Sequence, residues 1–297
     1  MRMILSAAIA ALMASAASAE VTVETAQGPV ALPGTPEKVA ALDLGVADSM
    51  MALGVTPAAV PDKLYLDHLQ PLAQTAAPAG TLQEPDLEKL AALNPDLIVV
   101  ANRSAVKKDA VAQVAPAIDM TVDGADLIAD AKARLTGLAA LFDKQAEGEA
   151  LTAALDGKLA ALAEAGKDKG SALVVLTNGP KMSAYGKGSR FGWIYEVTGL
   201  PQVDATLKSE ANHGDAISHE FIAQANPDWL FVLDRGAAIG ADEPSAQATL
   251  DNELLHRTNA WKNGHVVYLP ADNVYLAPGG YTALTETLDA LTAALSE

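Results

Sequence analysis

The sequence predicts an α/β protein made of two doubly wound lobes that are joined by a single long interlobe helix. One segment occurs twice in the same register: residues 94–103 read NPDLIVVANR and residues 226–235 read NPDWLFVLDR, at an offset of 132. Apolar runs of strand length alternate with helical patterns in both halves, which favours mainly parallel sheets. A long stretch without proline separates the halves. Because two copies are too few for a solenoid, we expect two related lobes.

The first half has the pattern of an α/β lobe. An apolar run at 38–45 predicts a strand, and VADSMMALGV after it predicts a helix that closes on Gly54. Residues 55–60 form a candidate short strand. The segment EPDLEKLAALN has a proline and acidic residues near its start, as helix N-termini do. The Asn-Pro-Asp turn ends this helix, LIVVA follows as a buried strand, and a further helix is expected over 104–114.

The second half repeats this order. Residues 171–178 predict a strand, and residues 189–200 predict a helix that closes on Gly199. SHEFIAQAN predicts the helix before the second Asn-Pro-Asp turn, and WLFVLD predicts the strand after it. Residues 265–270 predict another strand, and YTALTETLDALTAAL predicts a terminal helix.

The connection between the halves, residues 126–167, is rich in alanine and leucine and contains no proline. Its apolar residues recur at helical spacing, so we expect two helices with a break between Phe142 and Ala146. The second, over about 145–165, would be ~30 Å long and a stiff connector. The expected organisation is a signal peptide at 1–19, an N-terminal lobe at 20–144, the connecting helix at 145–166 and a C-terminal lobe at 167–297.

The first 19 residues have the pattern of a secretory signal peptide. Arg2 precedes an apolar centre at residues 4–13, and Ala-Ser-Ala forms a small-residue cleavage site before Glu20. The apolar centre is too short to span a membrane. The chain contains no cysteine, so neither a lipid-anchored thiol nor a disulfide is expected. These features predict a soluble periplasmic protein without a membrane anchor, secreted with a cleaved signal peptide.

The chain is strongly acidic, with 20 bases against 37 acids and a formal net charge of −17. Removal of the signal peptide takes away one base, Arg2, and brings the charge to −18. Such a surface disfavours nucleic acid and anionic lipid as partners. An anionic small molecule stays compatible with it, provided that positive charge is concentrated at the binding site.

Three arginines are candidates for that local positive charge. Arg103 and Arg235 end the two copies of the repeat, just after predicted strands. Ligands of α/β lobes bind at the carboxyl ends of strands, so facing lobes would bring both arginines into one cleft. Arg190 lies in the glycine-rich turn GKGSRFG, where a helix start favours anions. The fork of donors on arginine suits oxygen anions. The alternative for each residue is an ordinary solvated surface arginine.

His213 and Tyr275 are candidate metal ligands. His213 lies in the polar loop EANHGD, and Tyr275 lies in DNVYLAPGG, a predicted loop after the strand at 265–270. A phenolate is a hard oxygen donor, and a bound cation can deprotonate a phenol whose free pKa is about 10. The alternatives are an ordinary loop histidine and a tyrosine whose ring lines the cleft.

The sequence offers little support for catalysis. It has no G-x-S-x-G elbow, no P-loop and no cysteine nucleophile, and its carboxylates are not visibly paired. We therefore expect a binding protein rather than an enzyme. A periplasmic α/β hydrolase is the alternative from another class, and turnover on a panel of esters and phosphates would separate the two.

Four stretches are more specific than the repeat: SRFGWIYEVTGL, HGDAISHEFIAQANPDWLFVLDRGAAIG, ATLDNELLHRTNAWKNGHVVYL and VYLAPGG. Together they resemble the periplasmic substrate-binding proteins of ATP-driven iron–siderophore importers. The likeness runs from about residue 30 to the C-terminus. Within that family it is closest to the ferric-catecholate binders of the petrobactin type. The resemblance implies a fold of the class III periplasmic binding protein type with little hinge motion.

The resemblance also implies what the candidate residues do. Arg103, Arg190 and Arg235 would contact the oxygens of an anionic ferric siderophore held between the lobes. His213 and Tyr275 would bind iron(III) directly when the siderophore leaves two coordination sites open. The ligand would then be the iron–siderophore complex itself, and no intrinsic cofactor is expected.

A partner is implied by two further residues. Glu88 and Glu220 lie at the same offset as the rest of the repeat, near the start of the helix before each Asn-Pro-Asp turn. In the family that the chain resembles, one acidic residue per lobe docks onto arginines of the inner-membrane ABC permease. The alternative is a pair of helix-start acids that the helix dipole favours. A monomer is expected.

Two other ligand classes fit the same fold. A haem- or cobalamin-binding protein is the alternative among binding proteins, and haem would be identified by its Soret band. A binder of bare zinc or manganese would show more histidines and carboxylates than this chain offers.

Overall fold

The computed structural model of the protein describes residues 20–124, 126–207 and 213–297. The predicted signal peptide at 1–19 lies outside these described residues. Within the described ranges, no helix has the length and apolar character needed to cross a bilayer. The described chain begins with an antiparallel hairpin of β1 (Val21–Thr25) and β2 (Gly28–Leu32).

The first lobe is a parallel sheet with helices on its faces. Its elements, in chain order, are β3 (Val39–Ala41), α1 (Leu44–Ala52), β4 (Ala59–Val60), α2 (Leu72–Thr75), β5 (Ala77–Pro78), α3 (Leu87–Leu93), β6 (Leu97–Val100), α4 (Lys108–Val111) and β7 (Ala117–Asp119). The strand order is β5-β4-β3-β6-β7, and every pairing is parallel. This half of the chain therefore has the alternation of strands and helices that its sequence pattern predicts.

Burial and capping explain why these segments form these elements. All four residues of β6 are buried, as in a parallel sheet with both faces covered. Asp43 is the N-cap residue of helix α1, and its carboxylate accepts a hydrogen bond from the Val46 N–H at 3.1 Å. The helix ends next to Gly54, which has a φ of 75° and turns the chain towards β4.

Two helices follow β7, as the alanine- and leucine-rich pattern predicts. Helix α5 spans Leu127–Leu141 and packs on the β1–β2 hairpin, and α6 spans Gln145–Ala165. The break lies at Phe142 to Lys144, where Asp143 has a φ of 56°. With 21 residues, α6 is about 31 Å long. It therefore has the length expected for a stiff connector.

The second lobe has a sheet of the same size. Its elements, in chain order, are β8 (Ala172–Asn178), β9 (Lys181–Tyr185), α7 (Trp193–Thr198), β10 (Asp215–Ile217), α8 (His219–Ala225), β11 (Trp229–Asp234), α9 (Arg235–Ile239), α10 (Ala246–Leu250), α11 (Asn259–Lys262), β12 (Val266–Tyr268), α12 (Ala271–Leu276) and α13 (Tyr281–Leu295). The strand order is β10-β9-β8-β11-β12. The central strands β8 and β11 therefore occupy the places of β3 and β6.

The second sheet differs from the first in being mixed. Strands β8, β11 and β12 run parallel, whereas β9 and β10 are antiparallel to their neighbours. The reason is a tight hairpin after β8, where Gly179 has a φ of 55° and the chain returns at once as β9. The expectation of mainly parallel sheets holds for the first lobe, whereas only two of the four strand pairings in the second are parallel.

The repeated Asn-Pro-Asp turns have the same role in each lobe: each ends a helix and anchors the start of a strand. Asn94 and Asn226 end their helices in the left-handed conformation, with φ of 50° and 47°. Asp96 accepts hydrogen bonds at 3.0 and 2.8 Å from two backbone N–H groups just before β3. Asp228 accepts from the N–H of Ser171, just before β8, at 2.8 Å. Each turn thus fixes the start of a central strand against its neighbour.

Two predicted helices are shorter than expected. The helix predicted over 104–114 is a 3₁₀ turn at Ala105–Lys107 followed by the single turn of α4. The helix predicted over 189–200 begins only at Trp193, because the glycine-rich segment before it forms a tight turn that leaves no room for a Cβ at Gly192. This helix does close on Gly199, whose φ is 71°.

The C-terminal segment joins the two lobes. Asp48 of α1, which is fully buried, accepts hydrogen bonds from the N–H groups of Thr282 (3.1 Å) and Ala283 (2.9 Å) at the start of α13. Arg134 of α5 is also buried and donates to the carbonyl of Pro278 at 2.8 Å. Each lobe also contributes residues to the apolar core of the other. The core of the first lobe contains Leu276, Ala277 and Ala283 from the C-terminal segment. The core of the second lobe contains Val122, Leu127 and Ala131 from the end of the first half and from α5.

Candidate ligand-binding cleft

The three candidate arginines lie where the strands of the two lobes end. Arg103 follows β6, and Arg235 is the first residue of α9, directly after β11. Arg190 lies in the turn between β9 and α7. Because β6 and β11 are equivalent strands, Arg103 and Arg235 approach the space between the lobes from opposite sides. All three side chains are half-buried.

Tyr275 lies at the centre of this group. It is the fifth residue of the short helix α12, so the loop predicted for DNVYL is wrong. The guanidiniums of Arg103 and Arg190 both donate to the backbone carbonyl of Tyr275, at 2.6 and 3.0 Å. Arg235 Nε donates to the phenol oxygen at 3.1 Å. The structure therefore brings four of the predicted site residues into direct contact.

The same arginines surround the aromatic ring of Tyr275. The guanidinium carbons of Arg190, Arg103 and Arg235 lie 4.5, 5.0 and 5.8 Å from the ring centroid, which is within the range of cation–π contact. In the described part of the chain, their hydrogen-bond acceptors are neutral oxygens, namely those of Tyr275 and the side-chain oxygen of Asn178. Positive charge is therefore concentrated in the cleft of a strongly acidic protein.

Burial and the positive charges of the arginines shift the pKa values of Arg190 and Tyr275. Burial and the neighbouring charge of Arg103 lower the pKa of the Arg190 guanidinium. Burial alone would raise the pKa of the Tyr275 phenol, but the hydrogen bond from Arg235 and the charges of the three arginines outweigh it. The pKa of Tyr275 is therefore lowered from 10.0. An anion entering the cleft would relieve the repulsion, and the phenol is disposed to act as an oxygen donor.

Tyr275 separates two cavities that share its side chain and that of Arg103. The first, of about 260 Å³, has an aromatic and apolar wall. The second, of about 420 Å³, is lined mainly by polar and charged side chains. The principal residues are Asn102, Arg190, Phe191 and Trp193 in the first cavity, and Lys63, Tyr65, Gln83 and Arg235 in the second.

His213 lies in a different place from the arginines. It is exposed on the turn before β10, at the edge of the second sheet, and it lines neither cavity. The neighbouring Gly214 has a φ of 68°, and a Cβ there would lie 2.9 Å from the ring of Tyr185. Tyr185 in turn packs edge-to-face on Phe191 of the first cavity. The metal-binding role of His213 stays a prediction.

Glu88 and Glu220 occupy equivalent positions. Each is the second residue of its helix, after the N-cap residues Asp86 and Ser218, and each is exposed. The hydrogen bond with Ser218 lowers the pKa of Glu220 from its usual 4.5. The structure thus places one carboxylate on the surface of each lobe, at the start of an equivalent helix.

Sequence analysis missed Lys63, which also lines the cleft. It follows β4, so the rule that ligands bind after parallel strands applies to it as it does to Arg103. Its ammonium donates to the carbonyl of Ile239 in the other lobe at 3.2 Å. The signal in the sequence was a single lysine in PDKLY, which has no counterpart at the repeat offset.

The described residues contain no group of three or more histidine, cysteine, aspartate or glutamate side chains that is arranged to hold a metal ion. The cleft instead offers guanidinium and ammonium donors together with the phenols of Tyr65 and Tyr275. This donor set suits an anion that carries its own metal better than a free metal ion.

The bilobal α/β fold and the ligand-sized cleft between the lobes define the class of protein. The chain belongs to the periplasmic binding protein family, whose sequence model matches residues 39–273. The expected class III fold is confirmed, and members of this family act outside the cytoplasm.

Individual members are similar over most of the chain. The petrobactin-binding protein YclQ of Bacillus subtilis is 34% identical over 261 residues, which cover 86% of this chain and 82% of that protein. The ferric-anguibactin-binding protein FatB of Vibrio anguillarum is 30% identical over 281 residues, covering 91% and 85%.

Solved structures agree with these relationships. The crystal structure of YclQ superposes with a TM-score of 0.89 at 32% identity and covers 94% of this chain and all of that one. The periplasmic catecholate-siderophore binding protein VctP of Vibrio cholerae superposes with a TM-score of 0.87 at 28% identity, covering 93% of this chain and all of that one. The resemblance to siderophore-binding proteins that the sequence stretches indicated is confirmed.

Proposed function

We propose that this protein captures an anionic ferric siderophore of the catecholate type in the cleft and delivers it to an ABC importer. The observation that carries the proposal is the convergence of Arg103, Arg190 and Arg235 on Tyr275. Three half-buried guanidiniums whose acceptors among the described residues are neutral oxygens form a site for a multiply charged anion.

The chemistry of the ligand fits this cleft. Iron(III) is a hard cation, and deprotonated catecholate oxygens around it give a complex with net negative charge. The aromatic wall formed by Phe191 and Trp193 suits a catechol ring, and the arginines offset the charge of its oxygens. Each charge-assisted hydrogen bond of this kind contributes roughly 1.5–3 kcal/mol.

The relatives support the same ligand class. YclQ is named for petrobactin, FatB for ferric anguibactin and VctP for a catecholate siderophore. These are all siderophores, and their binding proteins cover most of this chain. Haem, cobalamin and hydrolysis gain no support from these names.

Direct coordination of iron is the finer part of the proposal. Tyr275 supplies a phenol whose pKa is lowered by its arginine neighbours, so loss of its proton to a bound iron(III) centre is favoured. A tetradentate siderophore leaves two of the six coordination sites of iron open, and Tyr275 and His213 fill them. The exposed position of His213 makes the tyrosine the first residue to test.

The remaining parts concern the partner and the compartment. Glu88 and Glu220 dock onto arginines of the permease, and the protein acts as a monomer without an intrinsic cofactor or catalytic activity. The chain works in the periplasm after cleavage before Glu20. The intact mass of the exported protein tests the last point, because a retained N-terminus would contradict it.

A fluorescence titration tests the ligand class. Trp193 lines the first cavity, so a bound ferric catecholate would quench its emission. The panel contains tetradentate and hexadentate ferric catecholates, a ferric hydroxamate, ferric citrate and haemin. Tight saturable quenching by the catecholates, weakened in Arg190→Ala and unchanged in the surface control Arg257→Ala, is the expected result. Binding of haemin alone, with a Soret band, would contradict the proposal.

A further inference from the structure

The second cavity carries a cation that the arginine cluster does not explain. Lys63 lies on the first lobe after β4, and its ammonium reaches across the cleft to the carbonyl of Ile239 at 3.2 Å. The ammonium also lies 4.3 Å from the centroid of the Tyr65 ring. Its partners among the described residues are therefore a neutral carbonyl and an aromatic face, and no described carboxylate forms an ion pair with it.

The charge lining the second cavity is positive. Lys63, Arg103 and Arg235 all face it, against one carboxylate, that of Asp62. The Asp62 carboxylate is already engaged, because its Oδ1 accepts from the N–H of Gly80 at 2.9 Å and lies 3.4 Å from the ammonium of Lys89. Asp62 therefore cancels little of the positive charge at Lys63.

The two cavities differ in what they can accept. The first has an aromatic wall and two arginines, which suits a catechol ring and its oxygens. The second is larger, and it adds the neutral hydrogen-bonding groups of Thr81 and Gln83 to its three cations. A ligand whose metal centre contacts Tyr275 and the arginines would extend another part of its structure into the second cavity.

We propose that the second cavity receives an anionic group of the siderophore outside the iron centre, specifically a free carboxylate, and that Lys63 determines this specificity. This inference rests on the proposed function. Lysine is suited to the role because its ammonium is a compact charge on a flexible stem. When the carboxylate arrives, the ammonium exchanges the Ile239 carbonyl for it, and a neutral acceptor is replaced by a charged one.

A different role for Lys63 would be that of a tether between the lobes. The two roles make different predictions. A tether would affect all ligands alike and would change the stability of the protein, because the bond to Ile239 exists without ligand. A specificity residue changes the preference between two ligands that differ only in the carboxylate.

Two synthetic ferric bis-catecholates separate these roles. Both have the same tetradentate iron-binding groups, and one carries a free carboxylate on the linker where the other carries its methyl ester. The wild type is expected to bind the carboxylate form roughly ten to a hundred times more tightly, as one charge-assisted hydrogen bond predicts. In Lys63→Gln this preference should fall to about threefold or less, through weaker binding of the carboxylate form.

Two further variants complete the experiment. Lys63→Arg keeps the charge and should retain most of the preference, whereas Lys181→Gln, an exposed lysine on β9, should leave it unchanged. A wild type that binds both complexes equally overturns the inference, as does a Lys63→Gln variant that weakens both complexes to the same extent. A wild type that binds neither complex would overturn the proposed function itself and with it this inference.

Discussion

At the scale of single residues, the central feature of the cleft is that Tyr275 holds three positively charged arginines close together in the absence of a ligand. The carbonyl of Tyr275 accepts from two guanidiniums and its phenol accepts from the third, so the arginines are oriented before any anion arrives. Such preorganisation reduces the entropy that binding would otherwise cost. It also means that these arginines and the tyrosine act as one group.

Each arginine is predicted to contribute to affinity. Replacement of Arg103, Arg190 or Arg235 by alanine should weaken binding of a ferric catecholate by about ten- to a hundredfold, because one charge-assisted hydrogen bond is lost. Fluorescence titration measures the effect, with Arg257→Ala as a control at an exposed position. If all three variants bind as tightly as the wild type, the ligand does not lie in this cleft.

Tyr275→Phe tests coordination of iron, because it removes only the phenol oxygen and keeps the ring. If the phenolate binds iron, the variant should bind a tetradentate ferric catecholate much more weakly and a hexadentate one nearly as well as the wild type. The charge-transfer band of the tetradentate complex should also shift in the visible spectrum. An unchanged spectrum together with unchanged tetradentate affinity would show that the ring merely lines the cavity.

His68 makes stability depend on pH near neutrality. Its Nε2 lies 3.4 Å from Asp48 Oδ1 and its Nδ1 lies 4.0 Å from Glu286 Oε2. Burial lowers the pKa of His68, but the contact with Asp48 and the charges of Asp48, Glu286 and Asp272 outweigh it and raise the pKa above 6.5. Protonation of His68 therefore stabilises the folded state. This stabilisation is fully present below pH 6.5 and is lost as the pH rises through the raised pKa.

His68→Gln should accordingly lower the free energy of unfolding at pH 6 and do so progressively less as the pH rises towards 8.5. Urea unfolding of both proteins across this range measures the difference. His256→Gln is the matched control, because His256 is exposed and its carboxylate neighbour, Asp251, lies only five residues away in the same lobe. A difference between His68→Gln and the wild type that stays constant with pH would contradict the assignment.

At the scale of elements, the repeat predicted the two central strands and the arginines that follow them. The prediction succeeded because Asn-Pro-Asp has the same local role in both copies, ending a helix and anchoring a strand. It missed the β8–β9 hairpin and the late start of α7, because both depend on tight glycine turns that interrupt the periodic pattern. It missed Lys63 because that residue lies outside the repeat.

The connecting helix α6 offers a paired test of its packing. Gly157 is exposed and has open space where a Cβ would lie, whereas a Cβ at Gly148 would lie 2.6 Å from the Cβ of Ala139 on α5. Gly157→Ala should raise the free energy of unfolding by about 0.5–1 kcal/mol, because alanine favours the helix. Gly148→Ala should lower it, because overpacking costs about 1–3 kcal/mol and exceeds the gain in propensity.

Chemical denaturation of the two variants measures this contrast. Both replace glycine by alanine within α6, so the pair separates packing between α5 and α6 from intrinsic helix propensity. Equal stabilisation by the two changes would mean that α5 and α6 are not in close contact at Gly148.

At the scale of the whole molecule, the sequence predicted two lobes and a cleft between them but not how closely the lobes are joined. Local patterns define strands and helices, and they carry no information about which distant segments pair. The contact between α1 and α13 through Asp48, and that between Arg134 and Pro278, bring together residues far apart in the chain. The position of Tyr275 against three arginines is a product of the same long-range packing.

Docking onto the permease is predicted to depend on the whole molecule, since one carboxylate lies on each lobe. Charge reversal of both residues, Glu88→Lys with Glu220→Lys, should abolish siderophore uptake by cells while the affinity for the ferric siderophore stays within about threefold. Uptake of iron-labelled siderophore and titration of the purified variant give the two measurements. The same double reversal at Glu149 and Glu253, which are also exposed, is the control. Wild-type uptake by the Glu88/Glu220 variant would exclude this docking surface.

The sharing of the cores between the lobes bears on the order in which the chain acquires its structure. The core of the first lobe includes Leu276, Ala277 and Ala283, and the buried carboxylate of Asp48 accepts hydrogen bonds from two backbone N–H groups of α13. The ribosome makes these residues long after the rest of the first lobe, so that lobe lacks part of its interior until residues 276–283 have been added. Contacts of such high sequence separation form slowly. The first lobe therefore cannot complete its core as an independent unit, and its last contacts must form together with the C-terminal segment.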